Sequence, residues 1–531
     1  MDTNKMKRCL LLFAAGLPLA AQVSYDRIRS ADAEPGNWLT YSGNYSAQRY
    51  SRLNQINSTN VGRLRPLWVY QARETGGFES SPLVVDGVMY VSEPASGVTA
   101  LDTLTGRPLW KFNRNLPKGV RGCCGEVNRG VAILGDMVYV GTFDAHLIAL
   151  DMQSGIVRWD VEVADFKLGH SITGAPLAIK DKIVIGIAGG EYGIRGFVDA
   201  YDAKTGKRAW RFWTVPSAGE PGSETWAGDS AKTGAATTWV TGTYDPEQNL
   251  VLWGTGNPGP DWNGDNRAGD NLYSDCLLAL DGDTGKLRWY FQFTPHDLHD
   301  WDSTEVPVLA DAVVRGEKRK VVLFGNRNAF YYVIDRTSGR FLAGKAYAKQ
   351  TWAQGLDDSG RPIVLPGTSP TSEGGKVYPD VGGGTNWFSP SFSPQTNLFY
   401  LSAHDAGGIY LKGDAEYKEG AQFNGGGPRP IPGEDHTGAI RALNPATGEL
   451  KWEFKLLSGA RAGVLSTAGN LLFGSSNEGD FYVLDATVGK LLWRFQTGGS
   501  MKANPISYLS GGRQQIAIAS GNSIFVFGLQ D

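Results

Sequence analysis

The 531-residue chain reads as an all-β protein, an eight-bladed β-propeller carried by a single internal repeat. Three observations predict this. A motif close to A-L-D-x-x-T-G-x-x-x-W returns along the chain at roughly 40–50-residue spacing, the length of a four-stranded unit. The 70 glycines and 26 prolines stand beside 16 Trp, 21 Tyr and 22 Phe, a balance of turns and aromatics that favours short strands over long helices. Alternating apolar runs precede most copies, as at 84–92 and 138–142, each after a turn signal.

Six copies end at Trp110, Trp159, Trp210, Trp289, Trp452 and Trp493. A degenerate copy puts Phe341 where the tryptophan belongs, and Trp68, in R-P-L-W-V-Y, is an orphaned half-copy, which makes eight units. Each unit has the same local logic. A strand ends at the Asp, whose carboxylate can cap the turn; the Gly supplies positive φ; the chain then reverses into an outer strand that begins near the Trp. The tryptophans are therefore expected to be wedges between units. Spacing widens between Trp210 and Trp289 and between Phe341 and Trp452, which marks insertions, including the Gly/Pro-rich stretches 355–384 and 407–433. These loops are expected to build the mouth of a pocket. The C-terminal strand 523–527 should complete the sheet begun near Trp68, which removes an exposed edge. No second domain is visible, so 22–531 reads as one propeller domain.

At the N-terminus, Lys5, Lys7 and Arg8 precede an apolar run from Cys9 to Ala21 that closes on small residues. This is the pattern of a secretory signal peptide, residues 1–21, and it is too short to span a membrane. No other run approaches transmembrane length, so the mature chain is expected to be exported with no transmembrane segment. A formal net charge of −3 without a basic stripe gives no reason to expect nucleic acid. Three cysteines remain after the signal: Cys123, Cys124 and Cys276. Neighbouring Cys123 and Cys124 are either a strained vicinal ring or two reduced, packed thiols. Cys276 precedes an apolar run and reads as a small buried hydrophobe. There is no C-x-x-C-H, so no c-type haem is attached to this chain.

The densest chemistry lies at 294–303, T-P-H-D-L-H-D-W-D-S, where Asp297, Asp300 and Asp302 stand with His296 and His299. Three carboxylates this close repel unless something positive sits among them. With the turn-plus-Trp repeat and its local motifs in order, the chain resembles the PQQ-dependent (quinoprotein) alcohol dehydrogenases, periplasmic eight-bladed propellers with tryptophan-docking repeats that use pyrroloquinoline quinone and a metal. The resemblance covers essentially the whole chain after residue 21.

What the resemblance implies can be taken motif by motif. G-C-C-G-E-V-N-R-G implies a Cys123–Cys124 disulfide on one face of the quinone and Arg129 paired with a PQQ carboxylate. Glu79, in G-F-E-S-S-P, matches a cofactor contact. S-I-T-G-A-P gives Thr173 as a hydroxyl donor, and I-G-I-A-G-G-E-Y brings the backbone of Ala188, Gly189 and Gly190 to the ring with Glu191 as a metal ligand. G-A-A-T-T-W sets Trp239 on the other face and Thr237 at the quinone edge. W-G-T-G-N-P makes Asn257 the amide ligand of the metal. Arg327 would bond the reactive carbonyls, and Asn386 and Trp387 would touch the cofactor. Asp300 takes the role of catalytic base and ligand. Asp302 is the extra acid of members resembling the lanthanide-dependent type, so the metal set is Glu191, Asn257, Asp300 and Asp302. Asp297, His296 and His299 are assigned to structure, since soft nitrogen ligands suit neither a lanthanide nor Ca²⁺. One departure stands out: where relatives often carry an aromatic before G-V-L-x-T, this chain reads A-R-A-G-V-L-S-T with Arg461 nearby.

The implied activity is oxidation of a small primary alcohol to an aldehyde in the periplasm, with electrons passed to a separate soluble cytochrome c. A calcium-dependent enzyme acting on other alcohols, polyols or sugars is the alternative, and a non-catalytic propeller scaffold is the alternative from another class. The preferred alcohol and the oligomeric state, a homodimer included, are left open.

Overall fold

The computed structural model describes residues 22–73 and 76–530, and the expected signal peptide lies outside them. The repeat folds as its chemistry dictates. Asp102 Oδ1 accepts from the backbone N–H of Leu104 at 3.1 Å, from that of Thr105 at 2.8 Å and from the Thr105 hydroxyl at 2.7 Å, while Gly106 turns the chain at φ +72°. The same cap recurs at Asp151, Asp281 and Asp335. The turn glycine also makes room. A Cβ on Gly106 would stand 2.5 Å from the Trp68 ring, and one on Gly155 would stand 2.5 Å from Trp110. Gly206, Gly285, Gly339 and Gly489 meet Trp159, Trp210, Trp289 and Trp452 in the same way. These six tryptophans therefore leave their own sheets and dock on the turn of the next, and the indoles of Trp68, Trp110 and Trp159 each donate to a carbonyl of that turn at 3.1 Å.

The degenerate copy departs from this rule. Gly448, where Phe341 would dock, lies against Tyr331 instead. Phe341 is covered by Gly360, in the hairpin of Ala353–Leu356 and Pro362–Val364. A phenyl ring lacks the indole N–H, and the inserted hairpin supplies the missing contact.

Among the described residues seven sheets have four strands and an eighth has five, and two smaller sheets of two and three strands accompany them. One of the four-stranded sheets, Ser391–Ser393, Leu398–Asp405, Thr437–Leu443 and Leu450–Leu456, is interrupted between its second and third strands by Gly408–Lys412 and Gly426–Pro430, which form a small inserted sheet with the preceding Gly375–Val377. The closing sheet is Ile506–Ser510, Arg513–Ser520 and Ser523–Leu529 with Leu64–Gln71 added from the N-terminal side, Trp68 opposite Val526. The expected closure is thus observed. A second tie was not foreseen: Tyr50–Ser51 adds in parallel to Leu465–Thr467.

Residues 38–51 thread between the first strands of the sheets. Trp38 bridges Val84, the Tyr45 hydroxyl donates to Ala178 O at 2.7 Å, and the Gln48 side chain donates to Leu309 O at 2.9 Å. Arg49, fully buried, donates to Pro505 O at 2.9 Å and lies over the rings of Trp38 and Tyr41. Burial pushes its guanidinium down to about 10. One segment reaching strands so distant in sequence means that these strands converge on a common centre. Above it, Tyr41, Ala47, Ala175, Val240, Val306, Trp387 and Phe388 make an apolar floor against which Trp239 packs.

Candidate active site

On that floor lies a cavity of about 450 Å³. Every residue that the sequence singled out for cofactor or metal lines it: Glu79, Cys123, Cys124, Arg129, Thr173, Ala188, Gly189, Gly190, Glu191, Thr237, Trp239, Asn257, Asp300, Asp302, Arg327, Asn386 and Trp387. They come from sheets far apart in the chain, and the ring brings them together.

One wall is the Cys123–Cys124 pair, joined as a disulfide. Next to it Arg129 faces the rings of Trp239 and Trp387, at 4.8 and 4.5 Å, and forms an ion pair with Glu79 at 2.8 Å. Cation–π contact and the buried carboxylate together hold the guanidinium flat. The pair is not fully satisfied: Arg129 Nε is buried without a hydrogen-bond partner. Thr173 donates its hydroxyl to Trp239 O at 3.3 Å. The glycines form a close-set cradle. Gly189 has φ +119°, and a Cβ there would lie 2.2 Å from Gly169 O; one on Gly186 would lie 1.8 Å from Thr238 O. Only glycine allows three backbone segments to lie this close.

The opposite chemistry is at the acid wall. Asp297 accepts from the backbone N–H of His299 at 3.0 Å and of Trp301 at 2.8 Å, which locks the 294–303 turn. Trp301 is fully buried, stacks on the His299 ring and donates to Asp380 O at 3.0 Å. Asp300 and Asp302, on either side of this anchor, both reach the cavity, Asp300 at φ +59°. Asp297 and His299 thus build the turn, and the His296 ring lies against Gly269 O at 2.9 Å. Asp302 accepts from the backbone N–H of Asn257 at 3.0 Å and pairs closely with Arg327, which is also 3.9 Å from Asp300. Arg327 donates on to Val381 O at 2.6 Å.

Burial raises the carboxyls of Glu191, Asp300 and Asp302 above their ordinary range, opposed at each by Arg327. Burial lowers the Arg327 guanidinium, but Asp302, Asp300 and Glu305 outweigh it and hold the group strongly charged. Three acids that sequence reasoning passed over belong to the same system. Asp261, Asp275 and Glu305 are buried, each raised chiefly by burial, and each keeps at least one oxygen with no partner. Their signal was an acid set directly against apolar or glycine-rich chain, as in P-G-P-D-W and S-T-E-V-P.

The loop expectation needs correction. Of 355–384 only Asp380 and Gly382 line the cavity, and nothing from 407–433 does. Those stretches fold as the hairpin over Phe341 and the inserted sheet, while Ala421 and Gln422 border an adjoining cleft of about 590 Å³ that shares Gly122, Gly125 and Phe143 with the cavity. The solvent-facing part of the lining is instead the exposed His436, Arg461 and Asn477 with the half-buried Ser458 and Lys502. Cys276 is buried and unpaired, as expected.

The residues fit the groups the resemblance implies. A planar carboxylated ring system matches a cavity with tryptophan faces, a glycine cradle and an unpartnered buried arginine donor. A hard cation matches the all-oxygen donors Glu191, Asn257, Asp300 and Asp302. As the described side chains stand, no three of His, Cys, Asp or Glu enclose an ion; Arg327 supplies the positive charge between Asp300 and Asp302.

Comparison with known proteins agrees. Residues 38–345 match the PQQ family described as glucose/ethanol/alcohol dehydrogenase, β-propeller domain, and residues 436–527 match the outer membrane protein assembly factor BamB family. The chain is 39% identical to quinoprotein alcohol dehydrogenase PedH of Pseudomonas putida, covering 96% of this chain and 92% of that protein. It is 36% identical to the lanthanide-dependent methanol dehydrogenase of Methylacidiphilum fumariolicum, covering 97% and 90%. Among solved structures, the quinohemoprotein alcohol dehydrogenase of Comamonas testosteroni superposes with a TM-score of 0.92 at 35% identity, over 96% of this chain and 83% of that one. A europium-containing methanol dehydrogenase superposes with a TM-score of 0.89 at 32% identity, over 95% and 100%. With a family match over more than half its length and relatives this similar from end to end, the chain belongs to the PQQ-dependent dehydrogenase β-propeller family.

Proposed function

We propose that this chain is an exported, periplasmic alcohol dehydrogenase that converts primary alcohols to aldehydes with PQQ and one lanthanide ion, passing electrons to a separate cytochrome c. In this reading residues 1–21 are the signal peptide, the eight sheets are the eight blades, and 22–531 is one domain. The observation that carries it is that Asp300 and Asp302 line one cavity together with Glu191 and Asn257. Three carboxylates and an amide are hard donors whose summed charge suits a trivalent cation better than a divalent one.

When bound, PQQ supplies the two-electron oxidising centre and the metal beside it supplies Lewis-acid polarisation. The side chains do the rest. Trp239, Trp387 and the disulfide would confine a planar ring, with Glu79, Arg129, Thr173, Thr237, Asn386 and the backbone at Ala188–Gly190 fixing its edge. Glu191, Asn257, Asp300 and Asp302 would hold the ion. Asp300 would accept the alcohol proton, a role for which burial makes its carboxylate more basic. Arg327, 3.9 Å from Asp300, offsets its charge.

Reconstitution tests this. Chelator-treated protein supplied with PQQ and a light lanthanide should oxidise primary alcohols to a dye acceptor. Inactivity with both a lanthanide and Ca²⁺ would overturn the enzyme reading, while activity with Ca²⁺ alone would overturn only the choice of metal. Asp302→Ser should lower lanthanide-dependent kcat/KM by on the order of 100-fold, as expected for a lost ligand. Full retention would mean that Asp302 holds no metal.

A further inference from the structure

Asn257 is held on three sides. Its backbone N–H donates to Asp302 Oδ1 at 3.0 Å, and its carbonyl accepts from Ala236 N at 3.0 Å. Its side-chain Nδ2 donates to Asp261 Oδ1 at 2.8 Å. The structure thus turns the amide NH₂ toward Asp261 and the amide oxygen away from it, the arrangement an ionised carboxylate, which only accepts, requires. That oxygen is the one polar group of Asn257 left for the cavity that Asn257 lines.

Asp261 is itself 2% exposed and lies behind the cavity wall. Its second oxygen is buried with no hydrogen-bond partner. Arg267, the nearby cation, spends its donors on Pro260 O, Asn271 Oδ1 and Asp297 O. Glu191 and Asp302 add further negative charge around Asp261. An acid buried this way is costly unless a cation sits close by, and a trivalent ion compensates it more than a divalent one.

We propose that Asp261 is a positioning residue for the metal: it fixes the Asn257 amide with Oδ1 aimed at the ion, and its fixed charge biases the site toward trivalent cations. This rests on the metal reading above.

The test uses the full-length, PQQ-loaded protein with Eu³⁺ as probe, excited directly, and reads affinity, displacement by Ca²⁺ and the number of bound waters from lifetimes in H₂O and D₂O. Asp261→Ala should weaken Eu³⁺ binding ten- to hundred-fold, on the order expected for a residue that orients a ligand, and should add one water as the Asn257 amide swings free. Asp261→Asn can still accept the Asn257 N–H through its carbonyl. It should therefore keep the wild-type water count and lose part of the preference for Eu³⁺ over Ca²⁺. Wild-type affinity and water count in Asp261→Ala would overturn the proposal. So would an equal change for both ions in Asp261→Asn, which decides the matter should the alanine variant fail to fold. Failure of the wild-type protein to bind Eu³⁺ would overturn the metal reading and this inference together. Eu³⁺ binding without alcohol oxidation would overturn the enzyme reading alone.

Discussion

At the scale of single residues, the wall that carries the vicinal cysteines depends on Asp144. Arg114, at the base of the stretch leading to Cys123, donates Nη2 to Asp144 at 2.7 Å and Nε to both carboxylate oxygens at 3.1 and 3.3 Å. The Thr142 hydroxyl donates at 2.6 Å. Burial pushes the Asp144 carboxyl up, but these bonds outweigh it and hold it below its ordinary 3.8. A carboxyl lowered on folding stabilises the protein at pH above its unfolded value, and that contribution is lost as pH falls through the folded one. Asp144→Asn should therefore cost about 2 kcal/mol at pH 7. The gap from wild type should close at acid pH, below the ordinary carboxylate range. Parallel melting curves at pH 7 and near pH 3 measure it; an equal gap at both would mean that the carboxylate charge is not what matters. Asp302 teaches the complementary lesson. Its charge is opposed by Arg327, yet it remains raised, because the cost of burial outweighs the one guanidinium beside it.

At the scale of the repeated element, the turn glycine has two jobs that can be separated. Gly155 has φ +71° and faces Trp110, whereas Gly135 has φ +67° with nothing within 4 Å of a Cβ. Gly135→Ala should cost only the left-handed backbone, about 1–2 kcal/mol. Gly155→Ala should cost that and the displacement of the indole, about 3–5 kcal/mol in all. Thermal midpoints of the two variants decide it, and equal losses would mean that docking on the turn contributes nothing. Phe341 fits the same account. Where the indole is absent the next turn is not used, and a hairpin that the repeat does not contain covers the ring.

At the scale of the whole molecule, closure ties the chain's ends together. Ser523–Leu529 pairs with Arg513–Ser520 on one side and with Leu64–Gln71 on the other, so it is an interior strand made from opposite ends of the sequence. Proline in an interior strand removes a ladder hydrogen bond and costs about 3 kcal/mol or more. Val526→Pro should lose more than this, because it opens the ring; the melting transition should broaden or vanish. Val364→Pro, in the exposed hairpin of Ala353–Leu356 and Pro362–Val364, should shift it little. Comparable losses would mean that closure adds nothing beyond one strand's bonds. The site depends on this closure, since Glu79 on one side and Lys502 on the other flank the junction and line one cavity.

By itself the sequence determined the repeat, its turns, its docking tryptophans and the ordered motifs whose residues meet in the cavity. These are local: an Asp four residues before a Gly caps its own turn, and a motif can be read without knowing its neighbours. The tertiary structure decided which buried charges answer one another. It paired Arg129 with Glu79, set Arg327 between Asp300 and Asp302, and put Asp261 behind Asn257. It also ran 38–51 through the centre and turned 355–384 and 407–433 largely away from the mouth. Such pairings join segments far apart in the chain, and their energies come from desolvation and distance, which no local pattern encodes.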